Sequence, residues 1–199
     1  MGGLVLAIGD SGVCVLHSNT YKLFPKQVQE SINSDYSKVK FLNKGINGLT
    51  STAMVSNTHW WKDLSPDLII CTIGANDAVD NGGGAAVSVS DYQTNLETIY
   101  QTFLQMNPQV SILFCSAWNA NLEKEGQLRP NAAAYITALQ SFCTSKSLTY
   151  ADLSEAWGVT EWDTYTYDDI HPNEDGSLLL HNIVYPIAED IASSWLSTL

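Results

Sequence analysis

The architecture this sequence predicts is an α/β fold: a three-layer α/β/α sandwich built on a five-stranded parallel sheet. Five short apolar runs recur along the 199 residues, and between them the apolar positions change to a helical period. Strand and helix therefore alternate throughout, which implies right-handed crossovers between parallel strands and helices on both faces of the sheet. No repeat, low-complexity tract or Pro/Gly/Ser-rich linker divides the chain, so one domain is expected over residues 1–199.

Leu4 to Ile8 reads as the first strand, and Phe24, Val28 and Ile32 as the apolar stripe of the helix after it. Val39 to Leu42 is the second strand, followed by a helical stretch marked by Met54 and Trp61. Leu68 to Ile73 is the third strand, and Leu96, Ile99, Tyr100 and Phe103 mark the next helix. Val110 to Cys115 is the fourth, followed by the stripe Tyr135, Leu139, Phe142 and Cys143. A weaker run, Tyr150 to Leu153, completes the sheet. The last helix carries an apolar residue every fourth position at Leu179, Ile183, Ile187, Ile191 and Trp195, and Pro186 predicts a kink or break within it.

Composition excludes several functions. Hydrophobic residues make up 45% against 15% charged, an ordinary globular balance. The formal net charge of −12 opposes binding to a nucleic-acid backbone or an anionic membrane, so no nucleic-acid partner is expected. Cys14, Cys71, Cys115 and Cys143 form no C-x-x-C pair, and two of them lie inside strand runs, which favours buried thiols and offers no metal site. The opening "MGGLVLAIGDS" lacks a basic segment and its apolar run is too short for a signal peptide, and no run is long enough to span a bilayer. Compartment stays open, with secretion or a place in a larger extracellular or viral assembly both compatible.

In open parallel sheets, ligands bind beyond the carboxyl ends of the strands. The polar residues at those ends are Gly9, Asp10 and Ser11; Asn43 to Thr50; Gly74, Asn76 and Asp77; and Trp118 with Asn119. A serine hydrolase needs a nucleophile, a base, a carboxylate to orient the base and donors for an oxyanion. Ser11 follows the first strand, although a Gly-Asp-Ser arises by chance in about one chain of this length in twenty. His171 sits in "YDDIHPNEDG", where Pro172 favours an extended loop. Asp168, three residues earlier, can reach the imidazole across a turn, with Asp169 the runner-up. Gly48 in "NKGINGLT" and Asn76 in "TIGANDA" offer donors. Singly, each has a blander reading: a loop histidine, turn glycines at Gly45 and Gly48, a cap or turn at Asn76 and Asp77. Together they occur once, since His17, His59 and His181 have no aspartate three residues before them.

These residues, in this order, resemble the GDSL or SGNH hydrolase family of esterases and lipases over essentially the whole chain. The resemblance implies a flavodoxin-like SGNH hydrolase fold, with "IGDS" carrying Ser11 as nucleophile and "NKGINGLT" carrying Gly48 as a backbone oxyanion donor. Gly74-Ala75-Asn76-Asp77 carries Asn76 as the side-chain donor, and Asp168 to His171 the rest of the triad, with the Ser11 amide completing the oxyanion hole. No metal or organic cofactor is implied. One departure is Gly12, where the family usually has a larger apolar residue, and it loosens the turn after the serine.

Trp157, Trp162, Tyr165 and Tyr167 crowd the approach to His171, with Trp118 across the rim, and aromatic faces suit a sugar ring. The expected substrate is therefore a small-molecule or glycan ester, preferentially an O-acetylated carbohydrate, with Trp118, Trp162 and Tyr167 as contacts. A lysophospholipase or thioesterase would use the same five site residues and differ in its acyl pocket. A noncatalytic binding module is disfavoured by the intact constellation, and nucleotide binding by the lack of a glycine-rich phosphate loop. Residues 80–90, "DNGGGAAVSVS", read as a mobile flap or a long surface loop.

Overall fold

The computed structural model describes residues 3–14, 24–80, 82–124, 126 and 128–196, so His17 lies outside the described residues. Five strands, β1 (Leu4–Gly9), β2 (Lys40–Gly45), β3 (Leu68–Thr72), β4 (Ser111–Cys115) and β5 (Thr149–Ala151), form one sheet. All pairings are parallel and the order is β2-β1-β3-β4-β5. The intervening helices are α1 (Phe24–Asp35), α2 (Ser51–Ser56), α3 (Val89–Met106), α4 (Ala132–Lys146), α5 (Trp162–Tyr165) and α6 (Glu174–Leu196).

The two faces of the sheet bury separate cores. Leu6, Ile8, Ile69 and Phe114 pack under α2, α3 and α4, while Val5, Leu68, Ile70 and Leu113 pack under α1 and α6. This is the expected three-layer sandwich. The strand order reverses direction between β1 and β3, which opens the crevice where doubly wound sheets bind ligands. The register sharpens this: Gly9 pairs with Gly45 and Thr72, Thr72 with Cys115, and Cys115 with Ala151. The strands end in one row, and the residues after them share one rim.

Several boundaries move from their expected places. The second strand runs on to Gly45 because its polar Asn43 and Lys44 still pair with Ala7 and Ile8, on an edge where one face is open to water. The fifth strand stops at Ala151, where Asp152 accepts a hydrogen bond from the Ser154 amide and starts a 3-10 turn. The stretch marked by Met54 and Trp61 is the short α2 followed by a 3-10 turn over Thr58–Trp60. In α6 the deepest residues are Leu180, Val184, Ala188 and Ala192, one position beyond the predicted stripe, whose larger side chains flank them half-buried. The alanines let α6 approach the sheet. Nor does Pro186 end that helix: Pro186 and Asn182 both lie on its exposed side, away from the packed face of Leu180, Val184 and Ala188. All four cysteines are buried and unpaired. Among the described residues no helix is long and apolar enough to cross a membrane.

Candidate active site

The chain leaves β1 through a tight turn. The amides of Val13 and Cys14 both donate to the Asp10 carbonyl at 3.1 Å, and the Gly12 amide donates to the Asp10 side chain at 2.9 Å. Asp10 is anchored in turn to β3, its amide donating to the Thr72 carbonyl and its Oδ1 accepting from the Thr72 hydroxyl at 3.4 Å. The outcome is a rigid base beneath Ser11. Burial pushes the Asp10 carboxyl up to about 6, against the pull of the Gly12 amide.

Ser11 Oγ lies 2.9 Å from His171 Nε2, and His171 Nδ1 lies 2.7 Å from Asp168 Oδ2. The other oxygen of Asp168 accepts from the amides of Ile170 at 3.1 Å and His171 at 2.7 Å, so one carboxylate shapes the loop and holds the ring. Burial alone would raise the Asp168 carboxyl. The hydrogen bonds from the His171 amide and ring outweigh it and hold the group below the usual carboxylate range. Asp169 takes a left-handed conformation, φ 68°, and turns its carboxylate to Lys124, 3.4 Å away. Of the two aspartates, only Asp168 reaches the imidazole. A serine hydroxyl, imidazole and carboxylate in this line allow the ring to take the hydroxyl proton while the carboxylate fixes its tautomer.

Gly48 and Asn76 stand on two loops that are laced together. Gly48 has φ 70°, a conformation that favours glycine, in a turn closed by the Leu49 amide on the Ile46 carbonyl. Asn76 Nδ2 donates to the Leu49 carbonyl at 3.2 Å, using one of its two N–H groups. Asp77, beside it, accepts from the Ser51 amide at 3.1 and 3.0 Å and from the Ser51 hydroxyl, so it caps α2 from across the crevice. Its burial raises its pKa despite those bonds. A second brace, which sequence reasoning missed, is Arg129. Its Nε donates from the segment before α4 to the Ala75 carbonyl at 3.0 Å, and the residue is buried. The signal was available: it is the only arginine in the chain.

The expected aromatic contacts separate. Trp118 lies over Gly12, where a Cβ would come within 2.5 Å of its indole, and Trp118 Nε1 donates to the Ile170 carbonyl at 2.6 Å. The indole thus occupies the space that a larger residue would take after the serine, and it ties the nucleophile turn to the histidine loop. Tyr167 stacks on His171, centroids 5.8 Å apart. Trp162 opens α5, and the contacts described for its backbone stay within that turn, on Thr166. Trp157 is a core residue, bonded to the Asn119 carbonyl and packed on Tyr165. Residues 80–90 include an exposed glycine turn in which Asp80 accepts from the amides of Gly82 at 2.7 Å and Gly84 at 3.0 Å.

Beside Ser11 opens a cavity of about 190 Å³, bounded by the Gly74–Asn76 turn, Trp118, Arg129 and the inner face of α4. Among the described residues no three His, Cys, Asp or Glu side chains gather to hold a metal ion.

A profile of the GDSL-like Lipase/Acylhydrolase family matches residues 7–179. Among solved structures, a protein from Parabacteroides merdae described as a GDSL-like lipase superposes with a TM-score of 0.79 at 15% identity, covering 96% of both chains. The acetylxylan esterase of Geobacillus stearothermophilus superposes with a TM-score of 0.74 at 19% identity and 94% of both chains. A lipase/acylhydrolase from Enterococcus faecalis gives 0.73 at 18% identity and 96% of both chains. The sequence finds no match among curated proteins.

Two predictions follow from this geometry. A folded-state value of about 6 for Asp10, against 3.8 for the ordinary group, means that the folded protein holds an extra proton between those values. The contribution of Asp10 to stability therefore falls as pH rises from about 4 to about 6 and is level above that. Asp10→Asn keeps the acceptor for the Gly12 amide and removes the titration, so its Tm relative to wild type rises across that window; a difference independent of pH contradicts the assignment. Second, Gly12→Leu drives a side chain into Trp118 and lowers kcat/KM, and adding Trp118→Ala relieves the clash. A double-mutant cycle in turnover should show coupling of about 0.5–3 kcal/mol, whereas simple additivity would separate the two residues.

Proposed function

Because the chain belongs to the GDSL-like lipase/acylhydrolase family of carboxylic ester hydrolases, we propose that it cleaves its ester through a covalent acyl-enzyme on Ser11. His171 serves as general base and Asp168 orients it. The observation that carries this reading is the unbroken line from Ser11 Oγ through His171 to Asp168, at 2.9 and 2.7 Å. Ser11 Oγ attacks the carbonyl carbon as its proton passes to His171 Nε2, and the carbonyl oxygen becomes an oxyanion. The amides of Ser11 and Gly48 and the second N–H of Asn76 receive that charge. Collapse expels the alcohol, which takes the proton from His171. Water, deprotonated by the same ring, then attacks the acyl-serine, and the carboxylic acid leaves.

For the alcohol we propose a carbohydrate hydroxyl. Tyr167 lies against His171, outside the cavity beside Ser11, and can face a sugar ring, and an acetylxylan esterase shares the fold. Faster hydrolysis of acetylated xylan or acetylated monosaccharides than of nitrophenyl acetate supports the carbohydrate; activity confined to nitrophenyl esters argues against it.

Asn76 discriminates catalysis from loop structure. As an oxyanion donor it acts on charge that develops in the transition state, so Asn76→Ala should lower kcat by roughly 100- to 1000-fold with KM little changed. A destabilised variant with normal turnover would make Asn76 a structural residue only.

A further inference from the structure

We propose that the cavity beside Ser11 is an acyl-chain pocket, and that the preferred acyl group is a linear chain of about six to eight carbons rather than acetyl. The inference rests on the reading of Ser11 as nucleophile and specifies the acid side of its ester. The cavity begins at Ser11 and the Asn76 turn and extends beneath α4. Along that helix Ala132, Ile136 and Leu139 fall on one face at successive turns, so a small residue stands at the near end and larger ones at the far end.

The walls suit a hydrocarbon. Tyr92 and Tyr135 line the cavity with their rings, and their hydroxyls are committed elsewhere, to the carbonyls of Ile73 at 2.8 Å and of Val87. Ser116 donates to the Ala117 carbonyl at 2.9 Å, and the Arg129 Nε is held on the Ala75 carbonyl. A sugar ring placed here would leave its hydroxyls desolvated against alanine, isoleucine and leucine. Size points the same way. An apolar protein cavity of about 150 Å³ accepts a benzene ring, so the volume of about 190 Å³ has room for about six to eight carbons and is left mostly empty by a methyl group. Each methylene moved from water into such a space favours the bound state by about fourfold.

The test is kcat/KM over nitrophenyl esters from acetate to dodecanoate. The rate constant should climb with chain length, reach its maximum between hexanoate and octanoate, and fall beyond. Ala132→Leu fills the near end and should lower the octanoate-to-acetate ratio about tenfold. Ile136→Ala lengthens the cavity and should move the optimum to longer chains, which gives an independent reading should the first variant fold poorly. An optimum at acetate, with the ratio unchanged in both variants, overturns the acyl pocket and leaves the esterase assignment standing. No hydrolysis of any ester, together with no fluorophosphonate adduct on Ser11, overturns the esterase assignment and this inference with it.

Discussion

The carboxylate of Asp168 is the point on which the rest of the site depends. One oxygen takes the amides of Ile170 and His171 and the other takes the imidazole, so a single side chain folds the loop and aims the ring that the loop carries. Fixing a rotatable imidazole to within hydrogen-bond reach of a hydroxyl costs conformational entropy, and three short bonds from one acceptor offset that cost locally. Other contacts then build on the same loop. Trp118 holds the Ile170 carbonyl, Lys124 holds the Asp168 carbonyl, and Tyr167 covers the face of His171. The charge on Asp168 persists to low pH because its partners prefer the ionised form.

A second constraint sits across the crevice, where the loops after β2 and β3 would be free to move independently if nothing joined them. Asn76 on Leu49 and Asp77 on Ser51 bind them into one body, and Arg129, from the segment before α4, holds the second of them at Ala75. Donors that are already in place need no reorganisation when charge develops on a substrate oxygen, and such preorganisation is commonly the largest electrostatic contribution to acyl transfer. Asp77 and Arg129 are buried, which would be unfavourable for isolated charges, and their hydrogen bonds to the loops compensate for the lost water.

Much of this was legible before any coordinates. Unmixed apolar runs located the central strands because β1 and β3 are buried on both faces, and Ser11, Asp168 and His171 stood out because their spacing matches a chemical need. Legibility failed where geometry depends on a distant partner. The extent of β2 was hidden because its polar end is held by backbone pairing with β1, which leaves no hydrophobic trace. Gly12 looked like a loosened turn, and only the fold shows an indole 106 positions later filling the gap. Asp77 read as a local cap, yet it caps a helix 26 residues earlier. Trp157 looked like part of a binding platform and is a core residue, since aromatic composition does not distinguish a core residue from an exposed one.

The central claim is that the Ser11 hydroxyl is made nucleophilic by His171 as Asp168 holds it. It is tested most directly by reaction with a fluorophosphonate followed by mass mapping of the adduct. The account predicts one adduct per chain, located on Ser11 and formed far more slowly in Asp168→Asn, with Asp169→Asn close to wild type. An adduct on another residue, or labelling of Ser11 that is indifferent to Asp168, would contradict it.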